Sequence, residues 1–484
     1  MAFAVMAKMI IINRSCNLEK VADLLKTKAC RLFPPEISMN CLNWPVSART
    51  LFVLVWVASI MSPQMAFAQD APTLNAADTA WVLTSTALVL FMTIPGLALF
   101  YGGLVKSRNV LSLLMQCLAL TAVLSLIWVV CGYSFAFDTT GMTKGSVNLN
   151  SFIGGFSRIG LTSITPDTLK GTIPEMLFAS YQMTFAVITP ALMIGAFAER
   201  MRFSAVLWFS SLWLLVVYVP ICHMTWAGDG GLFADWGVMD FAGGIVVHIT
   251  AGFSALVACI MVGPRSGYPT TRVPPHNMTM AFTGTAMLWV GWFGFNAGSA
   301  LAANGTAASA LLVTHISACT ATVVWMGIEW MKLGKPGVLG AATGSIAGLA
   351  AITPASGFVG PIGAIAIGTL SAVACFFCST TVKKRCGYDD SLDVFGVHGV
   401  GGVVGTLLVG VFAASSMGGV KMNLDVGQQV MVQFFAVVIT AAYSIVASIV
   451  LLKITQYAVG LRVTGNAEQQ GLDLTEHEER GYSY

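Results

Sequence analysis

Stretches of about 20 apolar residues, the length an α-helix needs to cross roughly 30 Å of hydrocarbon, recur from Trp81 to the neighbourhood of Lys453. No other feature restricts the chain as much. Backbone N–H and C=O groups find no water in hydrocarbon, so each stretch must pair them internally, as a helix does. The reading predicts about eleven spans, at roughly 81-105, 110-136, 175-197, 203-222, 241-262, 278-301, 307-331, 337-353, 357-380, 392-413 and 428-452. The short eighth and the Gly-rich tenth match least well. Hydrophobic side chains make up 56% of the 484 residues and charged ones 10%, where a soluble domain carries about a quarter charged. The fold class is an all-α polytopic membrane protein.

Composition removes several function classes. The eleven cysteines are scattered through apolar segments, as at Cys117, Cys259 and Cys319, and Cys375 and Cys378 lie mid-span in CFFC. None has metal-ligand or disulfide spacing, so they read as small core residues and no metal or cofactor is expected. A net charge of +3 without a basic tract gives no reason to expect nucleic acid. No nucleophile, base and orienting group occur together, which argues against an enzyme.

The segment ARTLFVLVWVASIMSPQMAFAQD combines a basic residue, an apolar run and a small-x-small Ala66-Phe67-Ala68 before Gln69, a secretory cleavage pattern. Residues 1-68 are therefore expected to be an N-terminal extension with a cleaved signal peptide at about 45-68. Residues 1 to 38 are polar, leaving either Met39 as the start or a mis-assigned extension. The transmembrane domain is expected over 69-453 and a cytoplasmic tail over 454-484.

With an exported mature N-terminus, loops after odd-numbered spans face the cytoplasm and should be basic. Lys106, Arg108, Arg200, Arg202, Arg265, Arg272, Lys332, Lys335, Lys383, Lys384 and Arg385 all fall there. Lys144, Arg158 and Lys170 are exceptions in a long second loop, where translocation is less sensitive to charge, and Lys421 is another.

A carboxylate-x7-imidazole unit occurs twice, as Asp240 with His248 in DFAGGIVVHI and as Asp390 with His398 in DSLDVFGVHG. The first opens the fifth span from the outer face and the second opens the tenth from the inner face. One unit in opposite orientations marks a five-plus-five inverted repeat, with halves of about 81-262 and 278-413 and a final helix at 428-452. At about 1.5 Å rise per residue each histidine lies roughly 12 Å along its helix from its aspartate. Entering about 30 Å of hydrocarbon from opposite faces, the two are expected to meet near the midplane, where repeat-built transporters place their conduction site.

A lone histidine in an apolar helix is ordinarily a satisfied core residue, and the symmetric pair changes that weighting. A metal site would leave its shell half empty. Asp240 reads as an N-cap that also adds negative potential to an outer vestibule. Asp390, with Asp393 three residues later, resembles a capping box. Aromatic residues such as Trp81 and Trp128 read as interface belt or core. Trp226, followed by a Gly-rich acidic loop in HMTWAGDGG, suits a face offered to a cation. The small residues of GAATGSIAGLA and GVGGVVG read as helix packing.

At FYGGL, AFAERMRFSAV, DFAGGIVVHI, GWFGFNAGSA, DVFGVHGVGG and AVGLRV, from about Ala77 to the tail, the chain closely resembles the ammonium transporter (Amt/Mep/Rh) family, on its bacterial Amt side. The resemblance implies that Trp226 and Ser299, with Phe185, form an outer ammonium-recruitment site with Asp240 as the essential acid below. It implies a gate of Phe185 and Phe295, and a pore lined by His248 and His398. It further implies a homotrimer with one pore per subunit, a cytoplasmic-membrane location and a tail that helps dock a PII-type signal protein. The position four before Phe185, often Phe in the family, is Tyr181 here. The loop between Trp226 and Asp240 is about two residues longer than is usual.

The expected function is ammonium uptake: recruitment outside, deprotonation, and passage of ammonia, with or without a relayed proton. An Rh-like gas channel and an ammonium sensor are the alternatives. The first is disfavoured by Trp226 with Ser299, the second by the roughly 30 residues after the last span, too few for a signalling module. A general cation channel would line its pore with carbonyls or acidic side chains, where these spans supply histidine and phenylalanine.

Overall fold

Four of the long helices begin at a side chain that accepts their first free backbone N–H groups: Asn75, Asn277, Asn304 and Asp425. This is the residue class that caps helices best. The computed structural model describes residues 73–271 and 273–483. The expected signal peptide and extension lie outside these residues. The helices are α1 (Ala76–Leu104), α2 (Ser107–Phe137), α3 (Glu175–Phe197), α4 (Phe203–Trp226) and α5 (Gly244–Val262). There follow α6 (Met278–Gly298), α7 (Gly305–Leu333), α8 (Val338–Ile352), α9 (Pro361–Cys386), α10 (Phe395–Phe412) and α11 (Val426–Val459). Each expected span has a helix at its place. Among the described residues nine are long and apolar enough to cross a membrane, and α8 is a shorter apolar helix. The last helix continues to Val459, past the expected end at 452.

The helices sort into an inner and an outer set. Buried residues form 89% of the most apolar stretch of α3 and 78% of that of α5, but only 33% in α2 and α7. Apolar side chains such as Leu126, Val323 and Val446 are therefore exposed on the outer helices, as lipid-facing positions require. Two short tail helices, α12 (Gly465–Gln470) and α13 (Leu472–His477), pack beneath the bundle.

The two halves also share a backbone irregularity. Turns with i→i+5 bonding interrupt α4 at Leu214–Tyr218 and α9 at Cys378–Val382. They recur at the starts of α5 (Gly244–Ile249) and α10 (Phe395–Gly399). Each of these pairs is five helices apart, as the repeat demands, whereas the turns at Met92–Leu97 in α1 and Trp128–Gly132 in α2 have no counterpart in α6 and α7. Such turns occur most often at functional sites, and the second pair contains His248 and His398.

Glycine brings these two helices into backbone contact. A Cβ on Gly252 of α5 would collide with Gly399 of α10, and one on Gly402 would stand 2.9 Å from the Cβ of His248. The small residues of GVGGVVG thus decide how near the imidazoles come. On the same bundle, the segment 138–173 covers one end, called here the loop face; the opposite end is the tail face. The long segment carries a two-residue hairpin, β1 (Leu169–Lys170) with β2 (Ile173–Pro174). His223 of α4 ties it down, its Nδ1 lying 2.9 Å from the Ala136 carbonyl and its Nε2 2.8 Å from that of Asn150.

Candidate functional site

Asp240 ends the segment after α4, and its carboxylate accepts four backbone N–H groups, from Gly243 (2.9 Å), Gly244 (2.6 Å), Ile245 (2.9 Å) and Val246 (3.1 Å). These are the donors a helix start leaves unpaired. Gly243, at φ 124°, supplies the turn between carboxylate and helix that a side-chain-bearing residue rarely adopts. The Asp240 carbonyl accepts Trp226 Nε1–H at 2.9 Å. The carboxylate therefore faces the helix start, and it is outside the lining of the loop-face vestibule.

At the equivalent place Asp390 accepts Val394 N–H at 3.1 Å and Phe395 N–H at 2.8 Å. The capping box expected with Asp393 does not form. Asp393 sits at φ 59° and turns its carboxylate to Lys383 Nζ, 2.7 Å away. Charge pairing with an amine on α9 replaces the reach back to the Asp390 backbone.

Both histidines are buried, with Nδ1 atoms 3.3 Å apart and rings stacked at 5.3 Å between centroids. The tautomers follow from what surrounds His248. Thr353 Oγ1 donates to the Leu349 carbonyl at 2.8 Å and accepts Trp292 Nε1–H at 2.9 Å. With its proton so committed, the hydroxyl accepts from His248 Nε2–H at 3.3 Å. A neutral imidazole has one N–H, so His248 offers a lone pair at Nδ1, and His398 Nδ1–H fills it. The pair is polarised in one direction.

A cavity of about 10 Å³ adjoins the histidines between apolar walls that include Leu97, Ile188 and Leu288, the size of about one water-sized molecule. Toward the tail face a second cavity of about 130 Å³ lies beside Asp393 and His398. At the loop face a vestibule of about 140 Å³ is lined by Phe185, Trp226, Ser299, Gln182 and Phe241 among others. Between the vestibule and the cavity at the histidines stand Phe185 and Phe295, their centroids 4.2 Å apart. Phe185 also meets the edge of Trp226 at 5.9 Å. The structure thus brings Trp226, Ser299 and Phe185 together in the vestibule, Phe295 below them and His248 with His398 deeper still. Asp240 stands behind, and Asp390 and Asp393 lie toward the tail face.

A family model for the Ammonium Transporter Family matches residues 80–482. The chain belongs to the Ammonium Transporter Family. Within it, an ammonium transporter of Aquifex aeolicus is 43% identical over 440 residues, covering 90% of this chain and 100% of that one. One from Bacillus subtilis is 44% identical over 410 residues, covering 84% and 98%. Solved structures agree with the fold. A protein described as a sensor Amt protein superposes with a TM-score of 0.76 at 29% identity, covering 83% of this chain and 98% of that one. Saccharomyces cerevisiae Mep2 gives 0.71 at 32%, covering 81% and 91%.

Sequence reading passed over several residues of this family member's lumen. Thr353, just past α8, and Trp292, on α6, orient His248, and nothing in their own segments distinguishes them. Gln182 lines the vestibule with its Oε1 unpartnered. Standing beside Met183 and Thr184, its polarity in an otherwise apolar span was the available signal.

Proposed function

We propose that this chain recruits ammonium at an outer vestibule formed by Trp226, Ser299 and Phe185, where the ion gives up a proton to vestibule water, and passes ammonia between Phe185 and Phe295 to the paired histidines, with or without relay of that proton. One observation carries the reading: two imidazoles in contact, 3.3 Å between nitrogens, beside an apolar cavity of about 10 Å³. Moving a small cation into such a place costs up to about 20 kcal/mol in an idealised Born estimate, reduced to several by relaxation. Cation-π contact with Trp226 offers only about 2 kcal/mol or somewhat more. The aromatic site therefore suits recruitment and falls short of carrying charge through. Ammonium, unlike potassium, sheds its charge by giving up a proton, and the polarised histidine pair offers that proton or a neutral molecule a donor and an acceptor in line. Asp240 supports the site by holding the start of α5 and, through its carbonyl, Trp226.

The reading extends to a homotrimer in the cytoplasmic membrane, with the mature N-terminus outside and a PII-type signal protein docking at the tail face. The test is a set of solid-supported-membrane currents from purified protein in liposomes. Ammonium pulses should give current and potassium pulses none. His248→Ala and His398→Ala should each abolish the ammonium current or admit potassium, and selective currents of normal size in both variants would refute the mechanism.

A further inference from the structure

Tyr181 is fully buried on α3, one turn before Phe185, and lies outside the vestibule lining. Its hydroxyl is 2.8 Å from the Gly294 carbonyl and 3.0 Å from that of Phe295, in the last turn of α6. It is also 3.3 Å from Ser299 Oγ, and that oxygen is 2.8 Å from the same Phe295 carbonyl. Gly298 leaves the phenol its room, since a Cβ there would stand 2.6 Å from the Tyr181 hydroxyl.

Proton counting gives these contacts a direction. Carbonyl oxygens only accept, so they take the single phenolic proton, and toward Ser299 the phenol is left as an acceptor. Ser299 then meets two protein oxygens, Phe295 O and Tyr181 Oη, and neither has a proton for it. Its own proton is drawn to that side, and its free lone pairs face the vestibule. A cation bearing N–H groups finds an acceptor there. The lone pair of ammonia finds no donor.

We propose that Tyr181 is a specificity-determining positioning residue: its phenol fixes Ser299 as a hydrogen-bond acceptor toward the vestibule, so that the site takes the protonated amine in preference to the free base. The proposal rests on Ser299 belonging to the recruitment site. It also gives the tyrosine a role that a phenylalanine at that position lacks, because Phe would pack on Phe185 equally well, ring edge to face at 5.1 Å, and leave the serine proton held by the Phe295 carbonyl alone.

Proteoliposome currents measured against ammonium concentration at fixed pH test this with Tyr181→Phe, Ser299→Ala and the double variant. Tyr181→Phe keeps the ring and its packing. It should raise the half-saturating ammonium concentration about 3- to 10-fold, the worth of one net hydrogen bond, and leave the maximal current unchanged. Ser299→Ala should raise it at least as much, and the double variant no further, because Tyr181 acts only through Ser299. A shift in Ser299→Ala without one in Tyr181→Phe overturns the proposal and leaves the recruitment site standing. So do additive shifts in the double variant, or a loss confined to maximal current. No shift in Ser299→Ala overturns both.

Discussion

At the scale of single residues, chemistry here is set by which atom holds a proton, and hydrogen-bond partners decide that more than residue type does. His248 and His398 were visible in the chain as a repeated unit, because a buried imidazole is conspicuous in an apolar span. The orientation of the pair was not, since it depends on Thr353, a hydroxyl among many that ordinarily bond back to their own helix. Thr353 does so too, to Leu349 O, yet its free lone pairs serve Trp292 and His248. Thr353→Val keeps the shape and removes the one oxygen that accepts from both, leaving two buried N–H groups unpaired at about 1 to 3 kcal/mol each. With His248 free to change tautomer, the maximal ammonium current should fall about tenfold or more, following the rate loss expected when a proton-transferring group is mispositioned. Half-saturation, set at the vestibule in the proposed mechanism, should stay within about twofold, which a concentration series on the same liposomes measures. An unaltered maximal current would show that Thr353 does not orient the pair.

At the scale of elements, hydropathy located the helices well and their irregular starts not at all. A run of apolar residues fixes that a segment spans, because backbone pairing leaves no alternative; whether bonding runs i→i+4 or i→i+5 over Gly244–Ile249 depends on how the segment is capped and what crosses it. Two features supply that here: the four N–H groups gathered by Asp240, and the glycine crossing of α5 and α10 at Gly252 and Gly399. The motif DFAGG announced a cap and its glycines, though not that one carboxylate would hold four donors. An amide offers only one acceptor oxygen with two lone pairs. Asp240→Asn should therefore leave at least two buried donors unpaired and turn its own N–H groups against the rest. We expect a lower apparent melting temperature in detergent and loss of transport, with Asp240→Glu also inactive because its longer arm misplaces the oxygens. Melting followed by tryptophan fluorescence reads the first effect, and wild-type melting of Asp240→Asn would show that the cap does not hold the start of α5.

At the scale of the whole molecule, the bundle is tied together at its tail face by ionic contacts that charge counting alone does not reveal. Arg200 and Arg265 figured in the sequence as topology signals, yet Arg200 is fully buried and gives its guanidinium to the Gly263, Ala196, Ala198 and Asp389 carbonyls and to Ser391. Arg265 grips the Asp389 carboxylate at 2.9 and 2.8 Å and reaches Glu199 at 3.1 Å. Beside it Glu468 of α12 accepts Ser266 N–H at 2.6 Å and Arg462 at 2.7 Å, and Asp473 of α13 accepts Ser112 N–H at 2.8 Å. Loops after α3, α5 and α9 and the tail thus share one network, assembled from polar residues that look merely solvated in sequence. Burial works to raise the Asp389 carboxyl, and the hydrogen bonds and charge of Arg265 override it and hold the group below its ordinary range. A carboxyl lowered on folding contributes stability that is present above its unfolded pKa of about 3.9 and lost as pH falls through the folded value. Its neighbour Asp390 runs the other way: burial pushes it up to about 6, so its contribution is lost as pH rises through that value. Asp389→Asn separates the two. At pH 7 it should destabilise the protein by about 1.5 to 3 kcal/mol, the worth of a hydrogen bond to a charged group, since Arg265 keeps its pairing with Glu199, and expose the tail to limited proteolysis. Below about pH 4 the wild type should lose the same protection, so the gap between variant and wild-type melting temperatures should narrow with acid. A gap that stays constant from pH 7 down to 3 would mean that the Asp389 charge is not what binds the tail face together.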